Sequence, residues 1–246
     1  MSRLAQQVVI VTGAAAGIGL GIAAACRHQG AGVLMVDIDP AVEAAAQGLD
    51  AESLVLDVTA PNSAQQAMDR ALHQFGKVNG LVNNAGRVDE ADILETDAEL
   101  WRQTMALNLE APYLWSQAAI PLMLEAGGGA IVNISTIEAT HVRPRHFPYV
   151  VSKSGLNCLT RAIAVDFGRR GIRCNTISPG SIDTPMYDRY TALYPGLREH
   201  LIGLNFAGRL GTVEEIGAAA VYLLSDETRF LNGHELVIDG ARTVAT

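Results

Sequence analysis

The chain has 246 residues, of which 49% are hydrophobic, enough to build the continuous core of one large α/β domain. Its formal net charge of −8 would repel a nucleic-acid backbone and an anionic membrane surface, so neither is expected as a partner. The three cysteines, at positions 26, 158 and 174, are odd in number and widely spaced, and the six histidines show no metal-binding spacing, so neither a disulfide framework nor a metal site is predicted.

Short apolar, β-branched runs recur along the chain, bounded by Gly, Asp, Asn or Pro as buried parallel strands usually are. They predict seven strands, at residues 7–11, 33–36, 53–56, 80–82, 130–134, 172–177 and 235–238. Helical spacing lies between them, at residues 18–29, 62–75, 97–124, 156–168 and 213–224. This alternation predicts an α/β fold, with residues 1–246 as a single domain built on a doubly wound parallel sheet covered by helices on both faces.

Two segments depart from this alternation. Residues 181–208 contain two prolines, scattered aromatics and no clear period, which predicts a substrate-binding loop or lid. Residues 8–26 carry no charge, but Gly13, Gly17, Gly19 and Gly21 interrupt the run. Because the apolar part before these glycines has only the length of a strand, neither a membrane span nor a secretion signal is expected, and a cytoplasmic location is predicted.

The first strand runs into a glycine-rich turn, residues 12–19, within which a helix should begin. Such glycines let the backbone approach a pyrophosphate closely, while the helix N-terminus supplies amide donors. Asp37 ends the second strand, where its carboxylate can accept hydrogen bonds from the adenine ribose hydroxyls. The same carboxylate repels a 2′-phosphate, and no Arg or Lys lies nearby, so NAD is favoured over NADP. The alternative interpretation of Asp37 is a turn residue at the strand end.

Further motifs follow in chain order: Asp57-Val58, Asn83-Asn84-Ala85-Gly86, Asn108, Tyr149 with Lys153, Ser178-Pro179-Gly180, residues 208–211 and Asp239-Gly240. With the glycine turn, they make the chain resemble the short-chain dehydrogenase/reductase family over essentially its full length. The resemblance implies a Rossmann fold, hydride transfer between NAD and a small-molecule alcohol or ketone, and a homo-oligomer, either dimer or homotetramer. The residues expected at the cofactor are Gly13, Ala16, Gly17, Ile18, Gly19, Asp37, Asp57, Val58, Asn84, Ala85, Gly86, Tyr149, Lys153, Pro179, Gly180, Ile182 and Thr184.

The proposed chemistry centres on Tyr149 and Lys153, which lie one helical turn apart and so share a helix face. A nearby ammonium favours the phenolate and is expected to lower the pKa of Tyr149. The resemblance implies that Tyr149 is the general acid/base for the substrate oxygen and that Lys153 also holds the nicotinamide ribose. It further implies that Asn108 helps to order a water-linked proton path.

A hydroxyl that orients the substrate oxygen is also required by the resemblance, usually from a Ser thirteen residues before the Tyr. That position holds Thr136, while Ser135 stands one residue earlier. Thr keeps the hydroxyl, and neighbouring strand side chains point in opposite directions, so one of the two should serve. Thr136 is favoured, with Ser135 as the alternative if the loop is offset by one residue.

Residues 138–146 lie between this hydroxyl and Tyr149 and should border the substrate entrance. They include His141, Arg143, Arg145 and His146, which would favour an anionic or strongly polar substrate; a solvated loop or a subunit contact is the alternative. The predicted function is NAD-dependent interconversion of a secondary alcohol (a polyol, sugar or hydroxyacyl compound) and its ketone. The alternatives are an NAD-binding regulatory protein of the same fold without significant turnover, and an NAD-retaining epimerase or dehydratase.

Overall fold

A computed structural model describes residues 2–245 and places seven strands in one parallel sheet of order β3-β2-β1-β4-β5-β6-β7. The strands are β1 Val8–Thr12, β2 Gly32–Asp37, β3 Glu52–Val55, β4 Gly80–Asn83, β5 Gly129–Ile134, β6 Ile172–Pro179 and β7 Glu235–Ile238. Each lies within two residues of its predicted bounds. The prediction of a doubly wound parallel sheet is therefore confirmed.

Helices cover both faces of this sheet. They are α1 Gly17–His28, α2 Ala41–Gly48, α3 Ser63–Phe75, α4 Ala98–Met105, α5 Ala111–Glu125, α6 Phe147–Phe167, α7 Pro185–Ala192, α8 Leu197–Gly203 and α9 Val213–Leu224. Short 3₁₀ turns occur at Ile137–Ala139, Gly168–Arg170 and Asp226–Thr228.

The hydrophobic core is divided in two by the sheet. Strand β1 shows why: Val9 and Val11 are buried in the cluster under α1 and α9, whereas Ile10 is buried in the cluster under α3 and α5. Successive side chains of a strand point to opposite faces, so a fully apolar strand supplies both layers. This double burial explains why the strands read as continuous apolar runs.

Four helical predictions need correction. Helix α2 was missed because its eight residues bury only Val42 and Ala46, too few to show a period. The predicted helix 97–124 is divided into α4 and α5 by a π-helical turn, Ala106–Glu110. The predicted helix 156–168 begins nine residues earlier, at Phe147. Residues 181–208, expected to be irregular, contain α7 and α8; among the described side chains of α8 only Leu201 is buried, so no apolar stripe marks it.

Over residues 2–245, no helix is both long enough and apolar enough to cross a bilayer. Cys26 and Cys174 are buried and unbridged, and burial raises the pKa of each thiol to about 12. These two thiols therefore act as small apolar core groups. Cys158 is exposed.

Candidate active site

The glycine turn joins β1 to α1 at the carboxyl edge of the sheet. Gly13 has a φ of +65°, a conformation that favours glycine, and a Cβ on Gly19 would lie 2.0 Å from the Gly13 carbonyl oxygen. No side chain caps the amide groups at the start of α1, where Ala16 is the N-cap residue. Thr184 faces this turn, since a Cβ on Gly17 would lie 3.6 Å from the Thr184 Cβ. The turn therefore forms a groove. Main-chain atoms form its base, and the backbone amides at the start of α1 lie along its rim.

Asn84 holds this turn in place. Its side-chain amide donates to the carbonyl oxygens of Thr12 and Gly13, each at 2.9 Å. The Thr12 hydroxyl in turn accepts from the backbone amides of Asn84 and Ala85, at 3.0 and 3.1 Å. Asn84 was predicted as a cofactor-binding residue, and the contacts that its side chain makes here are with the turn itself.

The Asp37 carboxylate contacts the same turn. It accepts from the backbone amide of Ala15 at 2.9 Å and from that of Asp39 at 3.0 Å. The turn role considered from the sequence is therefore present, and each carboxylate oxygen keeps a further lone pair for a ribose hydroxyl. Asp57 likewise accepts from the amide and hydroxyl of Thr59, at 2.8 and 2.7 Å.

Three other predicted cofactor residues contribute mainly to packing. Val58 and Ile182 are buried in the two cores, and Ile18 packs against one of them. Ile182 also pairs with Gly211, which fixes the start of the lid segment against the loop before α9. Pro179 ends β6, and a Cβ on Gly180 would lie 2.8 Å from the Asp239 Cα. The close approach of Asp239 therefore leaves no room for a side chain at position 180.

Lys153 and Asn108 come together at Gly86, beside this groove, and Tyr149 lies one helical turn before Lys153. Buried Lys153 donates to the Ile134 carbonyl oxygen at 2.8 Å. Asn108 lies in the π-helical turn, where its amide nitrogen donates to the Arg87 carbonyl oxygen and to the Ser152 hydroxyl, at 2.9 and 3.1 Å. A Cβ on Gly86 would lie 3.2 Å from Asn108 Oδ1 and 3.3 Å from Lys153 Nζ, so only glycine leaves both groups undisturbed.

The electrostatics of the pair differ from the sequence-based expectation. Burial raises the pKa of Tyr149, a hydrogen bond with Thr136 lowers it, and the charge of Glu138 raises it further. Burial also lowers the pKa of Lys153 to about 8. The expected lowering of the Tyr149 pKa by Lys153 is therefore absent from this structure, because desolvation outweighs the other influences.

Two residues near Tyr149 were missed as members of the site. Ser152 donates to the Tyr149 carbonyl oxygen at 2.7 Å and accepts from Asn108, so it connects α6 to the π-helical turn. Glu138 lies 2.6 Å from His146 Nδ1, and the ring of His146 meets that of Tyr149 edge-on, with centroids 6.2 Å apart. The sequence carries one signal for this contact, an acidic residue two positions after Thr136.

The two candidate orienting hydroxyls point to different places. Thr136 shares a hydrogen bond with Tyr149 and accepts from the Glu138 amide at 3.2 Å. The Ser135 hydroxyl instead donates to the Lys153 carbonyl oxygen at 3.4 Å, inside the structure.

We expect Thr136→Val to lower kcat/KM by at least about tenfold more than Ser135→Ala does, because it removes a donor to the substrate oxygen while keeping the side-chain shape. Steady-state kinetics with one alcohol would measure this, with the melting temperature of each variant as a control for folding. The opposite ranking would assign the orienting role to Ser135.

The basic side chains of residues 138–146 have acidic neighbours. Arg145 pairs with Glu95 at 2.7 Å, and Arg143 lies 4.0 Å from Glu138. His146 is buried between Glu138 and Glu90, with Nε2 3.8 Å from a Glu90 oxygen. The cluster is therefore a mixed-charge network and not a basic patch.

Comparison with known proteins gives a consistent set of relatives. A family model described as enoyl-(acyl carrier protein) reductase matches residues 13–242. D-threitol dehydrogenase of Mycolicibacterium smegmatis is 39% identical, covering 98% of this chain and 95% of that protein. L-fucose dehydrogenase of Oryctolagus cuniculus is 38% identical, covering 97% of this chain and 86% of that protein.

Solved structures show the same likeness. A protein assigned as a short-chain alcohol dehydrogenase from Sinorhizobium meliloti superposes with a TM-score of 0.94 at 30% identity, covering 99% of this chain and 98% of that one. A protein assigned as an NAD(P)-dependent gluconate 5-dehydrogenase from Beutenbergia cavernae, with NADP bound at low occupancy, gives a TM-score of 0.93 at 30% identity and covers 98% of each chain.

Proposed function

The chain belongs to the short-chain dehydrogenase/reductase family and is a nicotinamide-dependent oxidoreductase of secondary alcohols, and on this premise we propose that it uses NAD, with Tyr149 as general acid/base. The observation that carries the proposal is that Asn108 and Lys153 both lie against Gly86, in the loop that contacts the glycine turn, with Tyr149 one helical turn before Lys153. The test is NADH formation over a panel of alcohols. The regulatory alternative requires that no alcohol in the panel be oxidised while NAD still binds.

The groove fits a dinucleotide. Main-chain atoms form its base: Gly13 approaches Ala85 so closely that a Cβ on Gly13 would lie 2.8 Å from the Ala85 Cα. The start of α1 has no side-chain cap, so its backbone amides can donate to a pyrophosphate. Asp37 would hold the adenine ribose, and exposed Ile38 offers an apolar surface to the adenine ring. When bound, NAD supplies the hydride acceptor for alcohol oxidation.

Side chains of the protein transfer the proton of the substrate hydroxyl group. In oxidation, Tyr149 Oη takes the hydroxyl proton of the substrate as the carbinol hydrogen leaves; in reduction, it returns that proton to the carbonyl oxygen. Thr136 donates to the substrate oxygen and holds it next to Tyr149. A positive charge near the phenol favours the phenolate, which is the form that accepts the substrate proton in oxidation. Lys153, one helical turn after Tyr149, is the side chain proposed to supply that charge.

The preference for NAD is argued from charge. Among the ion pairs of residues 2–245, none involves Asp37, so no cationic side chain there offsets its repulsion of a 2′-phosphate. The Beutenbergia structure contains NADP, so this residue is the point to test.

We expect the wild-type kcat/KM to favour NAD over NADP by at least about tenfold, equivalent to ~1.4 kcal/mol, and Asp37→Ser to erode that preference. Asp37→Asn removes the negative charge but keeps an oxygen that can accept from the glycine turn, so it tests the charge alone. Asp39→Asn, an exposed neighbour, is the control. A wild type that prefers NADP would contradict the proposal.

We also propose that the enzyme is a cytoplasmic homo-oligomer, a dimer or tetramer. Exposed apolar side chains on α5 and α6 support self-association: Tyr113, Leu114, Val151 and Val165. A second exposed apolar pair, Phe230 and Val237, lies at β7 and just before it. Two separate apolar surfaces are what a tetramer with two kinds of isologous interface needs. The buried, unbridged thiols of Cys26 and Cys174 are compatible with a reducing compartment.

A further inference from the structure

A cleft of about 530 Å³ lies between the lid segment and the loop that precedes Tyr149. One wall is formed by Arg143, Arg145 and His146, and the other by the turn into α8, including Tyr194 and Leu197. Glu90, from the loop after β4, and His200, on α8, also line the cleft. This volume lies within the range of small-molecule sites and exceeds what a reacting carbinol group alone requires.

The cleft adjoins the catalytic group. His146 stands three residues before Tyr149, and their rings are in edge-on contact at 6.2 Å. Glu138 bonds to His146 and also acts electrostatically on Tyr149. His146 therefore both lines the cleft and contacts the ring of Tyr149.

The residues that line the cleft include both hydrogen-bond donors and hydrogen-bond acceptors. A carboxylate only accepts, so His146 Nδ1 donates to Glu138 at 2.6 Å, and Nε2 is left on the side of Glu90. The Tyr194 hydroxyl donates to Glu90 at 3.1 Å across the cleft, which ties the lid segment to the loop after β4. The Glu90 carboxylate has about four lone-pair sites and can accept from ligand hydroxyls as well.

The charge of the cleft disfavours an anion. Arg145 pairs with Glu95, and Arg143 is near Glu138, while Glu90 forms part of the wall itself. Both guanidinium groups therefore already have a carboxylate neighbour, and Glu90 adds a negative charge to the wall. An incoming carboxylate or phosphate would meet that charge, whereas neutral hydroxyls would not.

We propose that this cleft is the distal half of the substrate site and that it takes an uncharged polyhydroxylated substrate, a sugar alcohol or sugar. Remote hydroxyls donate to Glu90 and exchange hydrogen bonds with His146 and Tyr194. An apolar chain of the same length would displace water from these polar groups without offering them hydrogen bonds in return, which is how a polar site rejects an analogue that lacks hydroxyls. The inference rests on the proposed alcohol dehydrogenase activity.

The first experiment compares purified wild-type enzyme with NAD on xylitol, D-arabinitol, 2-pentanol and 4-hydroxypentanoate. These share a five-carbon chain and differ in hydroxyl count and charge. We expect the better sugar alcohol to exceed both 2-pentanol and 4-hydroxypentanoate in kcat/KM by at least about 100-fold. If 2-pentanol or 4-hydroxypentanoate is preferred, the inference is overturned while the proposed activity stands. If NAD binds and no alcohol is oxidised, the proposed function fails.

The second experiment uses Glu90→Gln and Tyr194→Phe. Each variant should raise KM for the sugar alcohol. The fall in kcat/KM for the sugar alcohol should exceed the fall in kcat/KM for 2-pentanol by about tenfold or more, which is the equivalent of one hydrogen bond to a charged group. Glu99→Gln and Tyr222→Phe, which change exposed residues outside the cleft, should leave both substrates unaffected. Equal losses on both substrates in both cleft variants would mean that the cleft only stabilises the lid, and would overturn the inference.

Discussion

Replacing Tyr149 with Phe is expected to lower kcat by about 10²- to 10⁴-fold, the range that a positioned acid/base contributes. The ring and its edge-on contact with His146 remain, while the transferable proton is lost. NAD affinity, measured by calorimetry, should change by less than about threefold, under one kcal/mol. The two readouts together separate loss of chemistry from loss of the site.

The control for this variant is Tyr222→Phe, which removes a hydroxyl from an exposed tyrosine on α9. It should retain wild-type turnover. Turnover of Tyr149→Phe within about tenfold of wild type, a difference of only ~1.4 kcal/mol in the barrier, would remove Tyr149 from the mechanism.

Lys153→Met is expected to lower kcat/KM at least about 100-fold and also to weaken NAD binding by about tenfold, the loss of a hydrogen bond from a charged donor. Methionine lacks the ammonium group but keeps most of the apolar stem, so no large cavity opens, whereas Lys153→Ala adds a loss of packing to the same chemical loss. The Ile134 carbonyl oxygen also loses its donor, which melting temperatures would register.

The chain contains one other lysine, Lys77, which makes Lys77→Met a matched control. That variant should keep both turnover and NAD affinity. A Lys153→Met enzyme that is merely less stable, with unchanged kinetics at low temperature, would show that Lys153 is a structural residue.

Several of the motifs predicted the position of the site because they stand at the ends of strands, and parallel strands bring their carboxyl ends to one edge of the sheet. The turn at Gly13, the loop at Asn84 and the stretch at Pro179 therefore converge, although they are distant in sequence. The apolar strands were equally readable, because burial on both faces leaves little room for polar residues.

Other features depend on packing that no local pattern records. Helix α8 has one buried side chain among those described, Leu201, so its sequence shows no periodic signal. The upward shift of the Tyr149 pKa follows from desolvation, which depends on all the groups packed around the ring. The mixed-charge network around His146 needs Glu90, which is 56 residues away in the chain and enters only through the fold.

The interior position of β1, between β2 and β4, has a consequence for how the chain folds. Its pairing with β2 joins neighbouring segments, but its pairing with β4 joins residues about 70 apart, such as Val9 with Gly80. Closing that loop costs entropy before its contacts repay it, and sheets rich in such long-range pairings fold slowly. During synthesis the β1–β2–β3 half can therefore assemble first, with one edge of β1 exposed until β4 emerges. That open edge is the point at which an incomplete chain is most exposed to association with another.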